Sequence, residues 1–357
     1  MESLVINASF WHGRRVFLTG HTGFKGSWLS LWLHNLGANV TGFSLESPTN
    51  PCLFKDANVS SILERNILGN VCNASKLAKA MQDSSPEIVI HMAAQSLVQE
   101  SYVAPYETFN TNVMGTVNLL EAVRKTPSVK VVLNVTSDKC YENIETDQAY
   151  KENNRMGGYD PYSSSKGCAE LISSAYRKSF LNSEGIALAT ARAGNVIGGG
   201  DWASNRIIPD AIRAFTNNKK LEIRSPLSTR PWQHVLEPLS GYLRLCESML
   251  NNPEKYSEGW NFGPGNDSVE SVATLVDILV DCWGEGVGWF KSSDLHPHEA
   301  KILKLDSKKA KNELGWTSRW TLKIALNETA LWYKQWQKGK DMNTFTINQI
   351  KKYETYP

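Results

Sequence analysis

The stretch RVFLTGHTGFKG, from Arg15 to Gly26, joins a short apolar run to three glycines spaced three residues apart. The run Arg15–Thr19 predicts a buried parallel strand. In the turn that follows, Gly20 permits a tight bend, and Gly23 lets the backbone approach a diphosphate. Gly26 lets the next helix pack closely against the strand. Because strand, turn and helix occur in the order that the motif requires, the stretch predicts a dinucleotide-binding loop with the diphosphate at the helix N-terminus.

Strands and helices alternate along the rest of the first half of the chain. Short apolar runs predict the strands, and apolar residues three or four positions apart predict the helices. Further strands are predicted at 39–43, 87–92, 129–135 and 187–191, and helices at 27–36, 75–81, 111–124 and 163–180. This alternation is typical of an α/β fold with a Rossmann-type, doubly wound parallel sheet. We expect residues 1–194 to form this dinucleotide-binding domain.

The pattern changes after Gly194, where glycine, proline and tryptophan become frequent and the segments become short. Helices are predicted at 239–250, 269–280, 305–314 and 322–336, whereas the last fifteen or so residues show no clear pattern. We expect residues 195–357 to form mainly a smaller α/β lobe that binds the substrate, with some segments returning to the first domain. Such a lobe would lie over the carboxyl edge of the sheet, where open α/β sheets bind ligands.

The overall composition limits the range of partners and locations. The 357 residues include 38 basic and 36 acidic side chains, and this net charge of +2 gives no reason to expect nucleic acid or a membrane surface as partner. No apolar run approaches the roughly 18–20 residues of a membrane helix, and we expect no secretory signal. The six cysteines are scattered, without CxxC pairs or metal-binding spacing, so we expect reduced thiols, no metal site and a cytoplasmic location.

Tyr162 and Lys166 stand four positions apart and therefore on one face of a helix. A tyrosine with its ordinary pKa near 10 is a poor base at neutral pH. We expect a neighbouring ammonium and a positive nicotinamide ring to lower that pKa, so that the phenolate takes a proton from a sugar hydroxyl as a hydride leaves the same carbon. The alternative is an ordinary pair on a helix surface. The glycine turn upstream and the strand end at Thr136 and Ser137 argue against it.

These motifs resemble those of the extended short-chain dehydrogenases/reductases that act as epimerases and dehydratases of sugar nucleotides. The resemblance covers about residues 14–335. It rests on the segments at 19–29, 91–95 (HMAAQ), 136–141 (TSDKCY), 230–239 (RPWQHVLEPL) and 298–300 (HEA), and on Tyr162 with Lys166.

The resemblance implies a 4,6-dehydratase that acts on CDP-glucose and keeps NAD bound through turnover. The C4 carbon would be oxidised, water would leave across C5 and C6, and the hydride would return to C6. The resemblance also implies a homo-oligomer, a dimer or a tetramer, in which the helices 111–124 and 163–180 pair into a four-helix interface.

Two groups of residues are expected to bind the cofactor, one in the glycine turn and one at the ends of the later strands. NAD is favoured over NADP because no Arg or Lys, which a 2′-phosphate would need, lies near Phe43 to Glu46. Lys25 either lies over the diphosphate or is a solvated side chain. The expected cofactor-binding residues are Gly20, Thr22, Gly23, Phe24, Lys25, Gly26, Ser44, Asn70, Ala93, Ala94, Thr136, Tyr162, Lys166 and Arg192.

The elimination needs a base for the C5 proton and an acid for the C6 hydroxyl. In related dTDP-glucose dehydratases an Asp and a Glu follow the Ser or Thr, whereas Asp138 and Lys139 follow Ser137 in this chain. Asp138 as the acid requires a pKa raised by burial, and Lys139 as the base requires a lowered pKa. The sequence leaves their roles open, and an ordinary Asp–Lys surface pair is the alternative. The expected catalytic residues are Ser137, Asp138, Lys139, Tyr162 and Lys166.

Polar side chains in both halves of the chain are candidates for the substrate. Arg206 and Arg230 suit a diphosphate because a guanidinium offers two parallel donors, although each could instead form a surface salt bridge. The resemblance places Asn195 at the diphosphate, and it includes His298 without defining its chemistry. The expected substrate-binding residues are Gln95, Ser96, Asn195, Arg206, Arg230 and His298.

Two other functions are compatible with the same fold. The first is a 4-epimerase or a 4,6-dehydratase of another sugar nucleotide, and the pair Asp138–Lys139 favours elimination over epimerisation. The second is a dinucleotide sensor without catalytic activity, and the presence of both Tyr162 and Lys166 argues against it.

Overall fold

The computed structural model describes residues 6–145, 148–265, 268–292 and 303–356. The strands within these residues are β1 (Arg15–Thr19), β2 (Asn39–Ser44), β3 (Arg65–Leu68), β4 (Ile88–His91), β5 (Val131–Val135), β6 (Ala187–Ala193), β7 (Asn195–Ile197), β8 (Leu221–Ile223), β9 (Thr229–His234), β10 (Gly259–Phe262), β11 (Val269–Ser271) and β12 (Trp289–Lys291).

The α-helices of the same residues surround these strands. They are α1 (Ala8–Trp11), α2 (Phe24–Asn35), α3 (Leu53–Asp56), α4 (Ala74–Ser84), α5 (Val98–Val103), α6 (Pro105–Phe109), α7 (Gly115–Arg124), α8 (Pro161–Tyr176), α9 (Ile207–Thr216), α10 (Leu236–Asn251), α11 (Pro253–Tyr256), α12 (Val272–Trp283), α13 (Lys308–Leu314), α14 (Leu322–Gln337) and α15 (Met342–Glu354). A π-helical turn, Asn110–Met114, joins α6 to α7, and a second, Arg177–Leu181, extends α8.

The central sheet is parallel throughout. Its seven strands, counted over the described part of the chain, follow the order β10-β6-β5-β4-β1-β2-β3. The chain starts at β1, winds outward through β2 and β3, and then returns to the other side of β1 with β4. The predicted Rossmann-type, doubly wound sheet is therefore confirmed, and its reversal point between β1 and β4 is where such sheets bind ligands.

Apolar side chains of the strands enter two hydrophobic cores, one on each face of the sheet. Val16 and Leu18 of β1 pack in the core that contains α2 and α10. Phe17, between them, packs in the core that contains α4 and α7. Because helices cover both faces, the central strands β4 and β5 are buried along their whole length and are mostly apolar rather than alternating with polar residues.

The chain beyond residue 194 contributes to both the small lobe and the large sheet. A sheet ordered β11-β9-β7 and a pair β12-β8, together with α9 and α12, form the lobe in the described residues. Strand β10 instead pairs with β6 at the edge of the central sheet. No helix of the described residues is long and apolar enough to cross a membrane.

Three C-terminal segments differ from the sequence predictions, and one of them, the predicted helix 305–314, begins only at Lys308. The predicted helix 269–280 begins only at Val272, because residues 269–271 form β11 and the Ser271 side chain caps the helix by accepting a hydrogen bond from the Thr274 amide. The last residues, for which no structure was predicted, form α15. Its side chains Ile350 and Tyr353 are buried, and the helix packs on α2.

Candidate active site

A cleft of about 1300 Å³ lies at the carboxyl edge of the central sheet. Residues that directly follow β1 to β6 line it, which places the ends of six strands around one space. Segments of the small lobe, from residues 200–210 and 222–230, line the opposite side. The cleft therefore lies between the dinucleotide-binding sheet and the lobe expected to bind substrate.

The glycine turn forms one end of the cleft. Gly20 has φ +76°, and a Cβ atom on Gly26 would lie 2.0 Å from the Gly20 carbonyl oxygen, so helix α2 approaches the turn more closely than any side chain allows. Gly23 is the N-cap of α2 and offers no side chain to the first amides of the helix. These amides are therefore available to a diphosphate, and the turn fits the predicted dinucleotide.

The next part of the cleft is built from the ends of β2, β3 and β4. The Thr22 hydroxyl lies 2.9 Å from the Ser44 hydroxyl and donates to the Leu45 carbonyl at 2.8 Å, which ties the turn to the end of β2. Glu46 is an exposed carboxylate on the same rim, and its charge would repel a 2′-phosphate. Further lining residues among those predicted for the cofactor are Phe24, Asn70, Ala93, Ala94 and Thr136.

Helix α8 carries Tyr162 and Lys166 into the cleft. The Asp160 carboxylate caps the helix by accepting hydrogen bonds from the Ser163 amide at 2.9 Å and the Ser163 hydroxyl at 2.6 Å. Pro161 occupies the first helical position, and both features fix the turn that holds Tyr162. The Lys166 Nζ atom lies 6.0 Å from the centre of the Tyr162 ring, so the two side chains share one face as predicted.

Burial controls the protonation of this pair. It raises the pKa of Tyr162 to about 12, although a hydrogen bond with Ser137 acts in the opposite direction. Burial also lowers the pKa of Lys166 to about 8. For the chain by itself, the pKa of Tyr162 therefore shifts upward, opposite to the expected direction, because loss of hydration is the largest effect on it. The phenolate needs a further positive charge in the cleft.

Ser137, Asp138 and Lys139 form a short turn directly after β5. The Ser137 hydroxyl donates to Asp138 Oδ1 at 3.0 Å and accepts from the Lys139 amide at 3.2 Å. Asp138 is only 2% exposed, and burial raises its pKa. Among the described residues no group hydrogen-bonds its Oδ2 atom. Asp138 is thus not part of a surface pair, and it lines the cleft with one buried oxygen that has no partner among the described residues.

Two arginines face this turn from the small lobe. Arg206 pairs with Asp201 at 3.0 Å, and its second Nη donates to the Ser96 hydroxyl at 3.1 Å. Arg230 is buried at the cleft wall and is close enough for its charge to lower the pKa of Asp138. With Asn195, which also lines the cleft, these side chains surround the space opposite α8.

The structure corrects the prediction for Arg192. Its guanidinium forms a two-point ion pair with Glu170, at 2.9 and 2.7 Å, and also donates to the Tyr141 hydroxyl at 2.7 Å. Both charged side chains are 5% exposed, and Arg192 is not among the residues that line the cleft. Arg192 therefore links β6 to α8 behind the residues that line the cleft.

Gln95 also differs from its predicted role. Its side-chain amide donates to the Leu97 carbonyl and to the Thr108 hydroxyl, and its carbonyl accepts from the Leu97 amide. With these bonds made, Gln95 shapes the loop after β4, while its neighbour Ser96 lines the cleft. His298, predicted on the substrate side, lies outside the described residues.

Sequence reasoning missed two polar residues that support the site. Tyr242 of α10 is fully buried and accepts a hydrogen bond from the Lys25 ammonium at 3.1 Å. Asp201 holds Arg206 through the ion pair described above. Tyr242 lies within a helix of mainly apolar pattern, and no sequence motif marks it as a residue of the site. Asp201 directly follows three glycines, and this glycine-rich turn is the sequence feature that could have pointed to it.

Comparisons with known proteins agree with this geometry. Residues 17–329 match the sequence profile of the family described as GDP-mannose 4,6 dehydratase. A curated CDP-glucose 4,6-dehydratase from Salmonella typhimurium is 51% identical over 354 residues, which cover 98% of each chain.

Solved structures show the same fold. A dTDP-glucose 4,6-dehydratase from Streptomyces venezuelae, crystallised with NAD bound, superposes with a TM-score of 0.76 at 24% identity, covering 91% of this chain and all of that chain. An epimerase from Methanothermobacter thermautotrophicus superposes with a TM-score of 0.79 at 20% identity, and the match covers 94% of this chain and 97% of that chain. On the extent of the profile match and the close relative, the chain belongs to the GDP-mannose 4,6-dehydratase family.

Proposed function

We propose that this chain is an NAD-dependent 4,6-dehydratase that converts CDP-glucose into CDP-4-dehydro-6-deoxy-D-glucose. The observation that carries the proposal is the meeting of Tyr162 and Lys166 with a buried Asp138 in one cleft beside the glycine turn. The choice of CDP-glucose is supported by the 51% identity to the Salmonella typhimurium enzyme over nearly the whole chain.

Tyr162 acts as the base of the first step. NAD, when bound, accepts the C4 hydride of the sugar and later returns it to C6. Tyr162 takes the proton of the C4 hydroxyl, so that the C–H bond at C4 breaks as the carbonyl forms. The Lys166 ammonium favours the phenolate in this step, and Ser137 hydrogen-bonds the reacting oxygen.

Asp138 supplies the acid of the elimination. Burial raises its pKa, which favours the protonated carboxyl group, and its Oδ2 atom has no hydrogen-bond partner among the described residues. The new 4-keto group makes the C5 hydrogen acidic, and loss of that proton expels the C6 hydroxyl, which leaves as water with the proton of Asp138. Lys139 also lies at the cleft. Its amine, in the neutral form, takes the C5 proton and gives one back to C5 when the hydride reaches C6.

The substrate diphosphate lies between the lobe and the sheet. Arg206 and Arg230 bind its oxygens, and Asn195 and Ser96 hydrogen-bond to the nucleotide and the sugar. The ion pair with the Asp201 carboxylate keeps the Arg206 guanidinium oriented, and the negative charge of Asp201 partly offsets the positive charge of Arg206. These assignments rest on the position of the side chains around one cleft.

The proposal is tested with CDP-glucose that carries deuterium at C4. We expect alkali-induced absorbance of a 4-keto sugar and deuterium transferred to C6 of the same molecule, with dTDP-glucose and UDP-glucose turned over much more slowly. A 4-epimerase would instead return the deuterium to C4. Conversion of another sugar nucleotide while CDP-glucose stays unchanged would refute the substrate assignment.

We also propose a homo-oligomeric, cytoplasmic enzyme whose product feeds the synthesis of deoxysugars for bacterial surface polysaccharide such as O-antigen. Helices α5, α6 and α8 pack against one another and leave several apolar side chains exposed. These are Tyr102, Val103, Tyr106, Phe109, Met114, Leu171 and Phe180. Such a surface supports association. All six cysteines are free thiols, which fits a reducing compartment.

A further inference from the structure

Tyr141 directly follows the turn that carries Asp138 and Lys139. Its side chain is 1% exposed, and its ring stacks on the ring of Tyr150 with 5.2 Å between the ring centres. Its hydroxyl donates to Oδ1 of Asn261, on β10, at 2.7 Å. Burial raises the pKa of Tyr141, so the hydroxyl keeps the proton that this bond needs. Both the ring and the hydroxyl of Tyr141 are therefore fixed by the protein.

The same hydroxyl accepts a hydrogen bond from Arg192 and so joins the turn to α8. One Nη atom of Arg192 donates to the Tyr141 hydroxyl at 2.7 Å and to the Glu152 carbonyl at 3.0 Å. Its Nε and its other Nη donate to the Glu170 carboxylate of α8 at 2.9 and 2.7 Å. Because a guanidinium holds its donors in one rigid plane, Arg192 fixes the position of Tyr141 relative to α8.

Helix α8 also lies directly against the turn. A Cβ atom on Gly167 of this helix would lie 3.3 Å from the Cys140 carbonyl oxygen and 3.2 Å from the carbonyl oxygen of Gly157. The Cys140 carbonyl itself accepts a hydrogen bond from the Gly157 amide at 2.8 Å. Lys166 directly precedes Gly167. A displacement of the turn therefore changes its position relative to the part of α8 that lines the cleft.

The relative position of turn and helix is important because two pairs of side chains act on one sugar in succession. In the proposed reaction, Tyr162 and Lys166 of α8 serve the oxidation at C4. Asp138 and Lys139 of the turn serve the elimination across C5 and C6. Misplacement of a reacting group by about 1 Å can lower a rate by roughly 10²-fold. A displaced turn would therefore slow the elimination while the oxidation pair on α8 stays in place.

We propose that Tyr141 is a positioning residue that, through its bond with Arg192, holds Asp138 and Lys139 where elimination can follow oxidation; this inference rests on the proposed dehydratase function. Tyr141 acts through the turn rather than on the sugar, since both hydrogen bonds of its hydroxyl are made within the protein. Loss of the hydroxyl keeps the ring and the ion pair on α8 but releases the turn. The 4-keto sugar that still carries its C6 hydroxyl should then accumulate, because it is consumed more slowly than it forms.

The test follows a single turnover of CDP-glucose by an excess of NAD-bound enzyme, quenched at intervals and reduced with borodeuteride. Deuterium then marks C4 of every sugar that was a ketone, and mass spectrometry separates sugars with a C6 hydroxyl from 6-deoxy sugars. In Tyr141→Phe, we expect elimination to slow by roughly 10–10²-fold relative to wild type, with oxidation within a few-fold. Labelled sugar that keeps its C6 hydroxyl should therefore be the main labelled species at early times.

Thr190→Val is the matched control, because it removes a hydroxyl from the same buried network on the side of α8. The Thr190 hydroxyl donates to Glu170 at 2.7 Å, so its loss leaves the bond between Arg192 and Tyr141 in place. This variant should show the wild-type proportion of the two labelled sugars. Equal slowing of both steps in Tyr141→Phe, or the same accumulation in Thr190→Val, would overturn the proposal.

Arg192→Lys serves if Tyr141→Phe does not fold. It keeps a cation for Glu170 but lacks the Nη atom that reaches Tyr141, so the same accumulation is expected. An absence of 6-deoxy product in wild type would refute the proposed function itself. Formation of that product by wild type, with an unchanged proportion of the labelled sugars in Tyr141→Phe, would refute only the positioning role.

Discussion

Tyr162 keeps its proton at neutral pH until a positive charge enters the cleft, because burial raises its pKa to about 12. The proton therefore leaves only when the cofactor and substrate are in place, which couples base catalysis to binding. We expect Tyr162→Phe to lower kcat by roughly 10²–10⁴-fold, since the ring stays but the base is lost. Cofactor affinity should stay within a few-fold of wild type.

Tyr176→Phe is the control for this change, because it removes a hydroxyl from the same helix. The Tyr176 hydroxyl donates to Glu121 at 3.0 Å, outside the cleft. For both variants, kcat is measured from the steady-state turnover of CDP-glucose, and the cofactor affinity is measured by titration with NAD. Turnover by Tyr162→Phe at the rate of Tyr176→Phe would show that another group is the base.

Single residues also show which side-chain positions can be predicted from the sequence. Residues that follow the strands, such as Ser137 and Asn70, lie in the cleft because every parallel strand ends at the same edge. Arg192 and Gln95 are not among the residues that line the cleft, because a sequence does not show which side of a strand or loop a side chain takes. Their buried partners, Glu170 and Thr108, are distant in sequence.

At the scale of elements, the strands and helices of the first domain were predictable because each has a periodic apolar pattern of its own. Helix α15 was not, since polar residues separate its apolar positions and its stability comes from packing on α2. The Trp32 indole of α2 donates to Glu354 at 2.7 Å. The C-terminal helix therefore supports the helix whose first turn forms the dinucleotide site.

Glu237 joins α10 to α15 and to the segment before α14, and it makes their packing sensitive to pH. From α10 it accepts hydrogen bonds from the Arg319 and Trp320 amides and from the Tyr353 hydroxyl of α15. Burial raises its pKa from the ordinary 4.5 to about 7. Between these values the folded chain holds a proton that the unfolded chain has released. The contribution to stability is therefore present at low pH and is lost as pH rises through 7.

The size of this effect follows from the two pKa values. The free energy of unfolding should fall by about 3 kcal/mol, through this group, between about pH 4.5 and pH 7. Glu237→Gln does not titrate, so the stability of wild type relative to this variant should decline by that amount over the same range. Urea unfolding at both ends of the range measures it, and parallel pH profiles for the two proteins would contradict the expectation.

At the scale of the whole molecule, helix α8 presents a buried face to the cleft and an exposed apolar face on its other side. Its inner face carries Tyr162 and Lys166, which are buried, while Leu171 on its outer face is 61% exposed. Tyr106 on the neighbouring α6 is 75% exposed. If this surface pairs with a second copy, assembly holds α8 from outside and fixes the side chains that it presents to the cleft.

Leu171→Arg tests this arrangement by placing a charge where an apolar contact is expected. Burying an unpaired guanidinium is costly, so we expect the variant to be a monomer by light scattering at micromolar concentration, with wild type larger. Asn312→Arg introduces the same charge at an exposed position of α13 and should keep the wild-type mass. Turnover should fall in the monomeric variant more than in the control, because α8 loses its outer support. A wild-type protein that is monomeric, or a Leu171→Arg variant that keeps its mass, would show that this face does not join two copies.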